Sequence, residues 1–289
     1  MLPFMTPAMM LQTINARHGT TFALCGRFAG GEQGAFAIVD PQGKHFALKW
    51  QAAARPDPFQ PARDVTELLR ARGYPLPCYV YDGTIDGTAY LIQEVLPGDP
   101  MGTLEARYIP RLLELNELQA GLAPSPSRAW PVLIIRSVLE GFDKFCVIAS
   151  LRDYSTTTAD LLTRLQALVT ANADVALPTN DIVHFDFTAA NILVVNGEIS
   201  GVIDWDAPCA GDRAFDLATL LFYAGDQPEL RTTLVQHYVD RASLSTLRLY
   251  LAHMIVRQLD WSIRHHERAV VEHWLGVSQL IARELLDFR

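Results

Sequence analysis

The sequence predicts an α+β protein of two lobes: a small antiparallel-sheet lobe over residues 1–96 and a larger, mainly helical lobe over residues 97–289. Three observations predict it. Short β-branched and aromatic runs separated by Gly and Pro turns fill residues 20–96. From Leu104 onward the apolar spacing takes the period of helices. A single Asn196-Gly197 hairpin signal interrupts that helical half, directly after a polar loop.

In the first lobe, Thr21–Arg27, Ala35–Asp40 and His45–Trp50 are predicted as strands, the last after a Pro41-Gln42-Gly43 turn. Pro61–Gly73 is predicted as a helix, with Pro in its first turn and Gly just past its end. Cys78–Asp82 and Thr88–Glu94 then form a hairpin, and Pro97-Gly98 closes the lobe. In the second lobe, helices are predicted over Leu104–Leu122, Ala129–Ala149 and Thr156–Val169. Four more follow the hairpin: Asp216–Tyr223, Glu229–Val239, Leu244–Ile263 and Glu267–Leu286. The apolar start MLPFMTPAMML lacks a basic n-region and is broken by Pro3 and Pro7, so it reads as a leader into the fold.

Composition narrows the function classes. A net charge of −8 with no basic stripe argues against nucleic-acid binding, because nothing would displace counterions. Four scattered cysteines without a Cys-x-x-Cys pair fit reduced thiols in a cytoplasmic protein. No apolar run approaches the roughly 18 residues of a membrane span. A monomer or dimer acting on a small molecule is the expectation.

The chemistry concentrates in Asp181–Leu220. Ile182 and Val183 lead into a loop carrying His184, Asp186 and Asn191. The strand Ile192–Val195, the Asn196-Gly197 turn and a second strand then end at Asp204. A two-residue turn there would set residue 191 opposite 202 and residue 189 opposite 204. That register carries Asp204 back toward Asp186 and Asn191, a set of oxygen donors suited to a cation. A zinc site built on His184 and Asp186 lacks further Cys or His at ligand spacing.

His184-x-Asp186-x4-Asn191, then Ile203-Asp204-Trp205 and Gly211-Asp212-x3-Asp216, resembles the aminoglycoside phosphotransferase family of kinase-like enzymes, which includes choline and homoserine kinases. The resemblance implies a two-lobed protein-kinase-like fold, with Asp186 as catalytic base and Asn191 and Asp204 as ligands of Mg²⁺ on the phosphates of ATP, GTP being possible. It also implies that His184 orients the loop and that Asp212 and Asp216 brace it, capping of the following helix being their alternative. Gly30, Gly31 and Gly34 fall where a loop would cover the nucleotide, although Gly-Gly also makes ordinary hairpins. Lys49, ending Ala47-Leu48-Lys49 in a strand, matches the phosphate-binding lysine, with Glu67 as its partner; a Glu67–Arg70 surface pair competes. Backbone groups of about Glu94 and Leu96 would meet the adenine edge. Phe185 stands where the family often has Gly, and Thr188-Ala189-Ala190 replaces its common His-Pro-Gly/Ser.

The implied activity is transfer of a γ-phosphate to a hydroxyl of a small molecule, first of all an antibiotic. A metabolite kinase of choline, homoserine or sugar type is the alternative, and a non-catalytic nucleotide-binding relative is another. Residues 231–289 hold six acidic residues against eight arginines, so no strongly anionic wall for a polycation is evident. Asp260 and Trp261 are candidates for the acceptor wall, an ordinary packed helix face being the competing account.

Overall fold

Period-2 alternation builds the first sheet, and its central strand is apolar on both faces. The structure, a computed structural model, describes residues 6–28, 35–53, 57 and 59–287. The chain divides into two units, Met1–Asp99 with Leu193–Asp206, and Pro100–Ile192 with Ala207–Arg289.

In the first unit, α1 (Pro7–His18) precedes β1 (Ala23–Arg27), β2 (Phe36–Val39), β3 (His45–Ala52), α2 (Gln60–Ala71), β4 (Tyr79–Ile85) and β5 (Thr88–Glu94). The five strands pair antiparallel in the order β1-β2-β3-β5-β4. On one face Tyr90 and Ile92 of β5 join Phe46, Leu48, Ile38 and the α1 residues Met10, Leu11 and Ile14. On the other face Ala89 and Leu91 pack with Phe59, which leads into α2. Pro7–His18 therefore forms a core helix, one that the sequence pattern did not mark. Thr6 accepts from the Met9 N–H, Pro7 occupies the first turn, and Gly19 ends the helix at φ +65°. Proline breaks a helix in its interior but favours its first turn, which is where Pro7 sits.

The chain passes to the second unit through β6 (Asp99–Pro100). Helices α3 (Ile109–Leu118), α4 (Ala129–Leu139), α5 (Ile148–Tyr154) and α6 (Thr156–Ala171) precede β7 (Asp181–Val183). Two predicted helices are shorter than expected. Pro110 starts α3 because its ring is favoured only in a first turn, leaving Leu104 outside the helix. Ala129–Ala149 splits where Gly141 turns the chain at φ +75°.

The hairpin of β8 (Ile192–Val195) and β9 (Glu198–Val202) turns at Asn196 (φ +52°) and Gly197 (φ +80°), the left-handed pair such a turn requires. The sequence assigns this hairpin to the second lobe, whereas residues 193–206 group with the first unit. Their bonds explain why: the Val202 N–H donates to Pro75 O (2.8 Å), and Ser200 Oγ donates to Pro97 O (2.5 Å). The second unit then continues with β10 (Cys209–Gly211), α7 (Ala214–Tyr223), α8 (Pro228–Val239), α9 (Leu244–His265) and α10 (Arg268–Asp287). Among the described residues no helix is long and apolar enough to cross a membrane.

Candidate active site

In the second unit the site grows from a two-stranded pair. Buried β7 runs antiparallel to β10, with Val183 opposite Cys209 and Asp181 opposite Gly211. Where β7 ends, the chain must turn without ladder partners, and a buried carboxylate supplies them. Asp216, fully buried in the first turn of α7, accepts from the N–H groups of His184 (2.9 Å) and Phe185 (3.1 Å) and from Gln119 Nε2 (2.7 Å). Burial pushes the Asp216 carboxyl up, while His184 and these donors pull it down; the net shift is upward. His184 Nδ1 accepts from the Asp186 N–H (3.2 Å).

The loop presents Asp186 with its side chain 42% exposed. Asn191 Nδ2 donates to the Asp186 carbonyl (2.9 Å) and to its Oδ2 (3.0 Å). That orientation leaves the Asn191 carbonyl oxygen as the donor atom for a cation. Asp212 does different work from Asp216: it accepts from the Ala214 N–H (2.9 Å), capping α7, and from the Tyr250 hydroxyl (2.8 Å).

In the first unit Lys49 leaves β3 opposite Leu91, and its ammonium donates to Asp204 Oδ1 (2.7 Å) and Asp206 Oδ2 (2.9 Å). Burial pulls the Lys49 pKa down, but Asp206 and Asp204 outweigh it and the net shift is upward. Burial also pushes the Asp206 carboxyl up, with Lys49 opposing and Asp204 adding to the rise. Between the two aspartates Trp205 is 1% exposed, donates to Val202 O (3.1 Å) and meets the Tyr74 ring edge-on at 5.4 Å. The Tyr79 hydroxyl donates to Trp205 O (3.2 Å).

Glu67 is not the partner of Lys49. The helix α2 buries Ala62, Val65, Thr66 and Leu69, and at 100° per residue position 67 falls on the exposed side. Glu94 is half-buried, its side chain paired with Lys44 (2.6 Å) and its N–H donating to Cys78 O (2.9 Å). Leu96 is half-buried and packs over Gly201, where an added Cβ would collide with it. Gly30, Gly31 and Gly34 lie outside the described residues. Asp260 is 1% exposed and engaged by Arg264 (2.7 and 2.8 Å) and Ser150 (2.8 Å), so its carboxylate serves packing within α9 and α5. Trp261 stacks on His265, with centroids 3.8 Å apart.

Two groups escape the sequence reading. Asp206 was visible as the second acid of Asp204-Trp205-Asp206. Arg257 gave no local signal: α9 brings it to the loop, where it donates to Phe185 O (2.6 Å) and Asp186 Oδ1 (3.2 Å). Among the described residues no three His, Cys, Asp or Glu side chains gather as a metal cage. Within the first unit the carboxylates of Asp204 and Asp206 are oxygen donors of the kind Mg²⁺ takes, one or two from protein with phosphate and water completing its shell. Asp206 Oδ1, buried without a hydrogen-bond partner, fits the same account.

The family model described as the phosphotransferase enzyme family (APH) matches residues 26–250. No curated protein matches the chain. Solved structures of aminoglycoside phosphotransferase APH(4)-Ia are similar at 20% identity and TM-score 0.72, covering 96% of this chain and 99% of that one. One thermostable mutant of that enzyme is a ternary complex with AMP-PNP and hygromycin B (19% identity, TM-score 0.73, covering 96% and 99%). The macrolide 2'-phosphotransferase MphH from Brachybacterium faecium is similar at 18% identity and TM-score 0.58, over 93% of this chain and 96% of that one. At these identities the likeness shows the fold.

Proposed function

We propose, for a chain that belongs to the phosphotransferase enzyme family, that it moves the γ-phosphate of ATP, or of GTP, to a hydroxyl of a small molecule. An antibiotic is the first candidate acceptor. The observation that carries the reading is Asp186, presented by a loop whose backbone is pinned by Asp216 and whose carboxylate is held by Asn191.

Phosphoryl transfer needs positioning and charge neutralisation more than covalent help. The acceptor oxygen bonds to the γ-phosphorus, the bond from phosphorus to the β-γ bridging oxygen breaks, and the nucleoside diphosphate leaves. Asp186 orients the hydroxyl and takes its proton, a contribution of ~10²–10⁴-fold in rate. Lys49 binds the nucleotide phosphates. Asn191 and Asp204 are the proposed oxygen ligands of Mg²⁺, which when bound neutralises phosphate charge.

The test is transfer of labelled γ-phosphate from ATP and GTP, with Mg²⁺, to aminoglycosides, macrolides, nucleoside antibiotics, choline, homoserine and sugars. A labelled antibiotic supports a resistance enzyme. A labelled metabolite supports the housekeeping alternative. Nucleotide binding without transfer to any acceptor or to water would overturn the catalytic reading in favour of a binding relative.

A further inference from the structure

Phe185 adopts φ +73°, a left-handed conformation that costs a side-chain-bearing residue roughly 1–2 kcal/mol. Such an outlier persists only where its surroundings hold it. Here the Phe185 ring stacks on Phe215 (5.2 Å, 12°) and faces Trp130 at 6.3 Å and His253 at 5.9 Å. The Arg257 guanidinium lies over that same ring, 4.9 Å from its centroid. From there one of its nitrogens donates to the Phe185 carbonyl and another to Asp186 Oδ1. Asn191 holds the other oxygen, Oδ2.

We infer that Arg257 is a positioning residue for the catalytic base: seated on the strained Phe185, it fixes the Asp186 carboxylate from the side opposite Asn191. The inference rests on the phosphotransferase reading. A planar guanidinium can stack on a ring and donate in two directions at once; the single ammonium of a lysine cannot. Misplacing a reacting group by about 1 Å can cost on the order of 10²-fold in rate. Arg257 therefore acts on turnover, whereas nucleotide binding by Lys49 is left alone.

The experiment compares steady-state transfer by wild type, Arg257→Lys, Arg257→Ala and Phe185→Gly, each with its thermal unfolding midpoint. The assay uses the acceptor found in the panel, or water as acceptor through ATP hydrolysis. Arg257→Lys and Arg257→Ala are expected to lower kcat about 10²-fold, with KM for ATP within about twofold of wild type. Added methylguanidinium is expected to restore part of the Arg257→Ala rate, and methylammonium none. Phe185→Gly relieves the backbone but removes the seat, so it is expected to lower kcat and to make Arg257→Lys nearly silent in the double variant. If kcat per folded molecule is normal in Arg257→Ala, or both cations rescue it equally, the inference is overturned while the phosphotransferase reading stands. A wild type that transfers phosphate to nothing, water included, overturns both.

Discussion

The two units hold their charged groups in different ways. In the first, Lys49 is placed by a strand in mid-sheet, and Asp204 and Asp206 follow a hairpin whose second strand bonds to backbone at Pro75 and Pro97. In the second, the loop of Asp186 has no ladder: beyond its own turn bonds, from Thr188 N–H to Asp186 O and from Asn191 N–H to Thr188 O, it is held by the side chains of Asp216, Asn191 and Arg257. Ladder positions are specified by neighbours in sequence, and side-chain braces by residues the fold brings from afar. The looser backbone is thus the one with the more elaborate polar support.

The largest effect expected is on the braced loop. Asp186→Asn keeps shape and the Asn191 contact but cannot take a proton, so transfer should fall by ~10²–10⁴-fold while nucleotide affinity stays within a few-fold. Isothermal titration with a non-hydrolysable nucleotide checks the second half, and a normal rate would remove Asp186 from its role. Next comes Asp216→Ala, which leaves two backbone N–H groups without an acceptor and takes one of the two acceptors of the Gln119 amide, whose other bond to Ile182 O remains. A loss of about 3 kcal/mol is expected, read from the urea midpoint at unchanged m-value. A cost under about 0.5 kcal/mol would mean that the loop holds itself.

Smaller per pH unit is the effect of His253, fully buried beside Phe185 and bonded to Ser137 Oγ (2.7 Å). Burial, helped by Arg257, lowers its pKa to about 3 from 6.5. Its folded pKa is depressed, so its contribution is full above pH 6.5 and is lost as pH falls toward about 3. The buried aspartates, shifted upward, oppose this slope, so the comparison must be with a variant. Wild type should lose about 1.4 kcal/mol per pH unit more than His253→Asn below pH 6.5, the curves running parallel above it. Curves parallel throughout would show that His253 titrates as in the unfolded chain. The smallest effect probes the laddered side. Gly197→Ala has open space for its Cβ but keeps φ +80°, so it should cost about 1 kcal/mol through backbone strain alone.

What was legible in the sequence follows the same division. The Asn196-Gly197 hairpin, Lys49 in its strand, and the spacing of His184, Asp186 and Asn191 are local patterns and could be read directly. The Glu67 assignment failed because a motif gives a helix and not its rotation; the buried face of α2 decided that. Asp260 failed because a carboxylate and an arginine one turn apart can close on each other in the interior. Arg257 lies 71 positions from Asp186 in sequence, and no local pattern announces such a contact. Phe185 carried a hint, since a bulky residue where glycine is common signals a backbone that something else must hold.

The return of residues 193–206 to the first unit has a practical consequence for dissecting the protein. A fragment ending at Asp99 would contain the whole five-stranded sheet and Lys49, and would look like a natural expression boundary. It would nevertheless carry an ammonium stripped of both its carboxylates and an open wall where Trp205 belongs. A graft of residues 193–206 onto that fragment through a short linker is the shortest design that restores the unit, and a swap between relatives at 99 alone would mix two lineages within one cluster of charges.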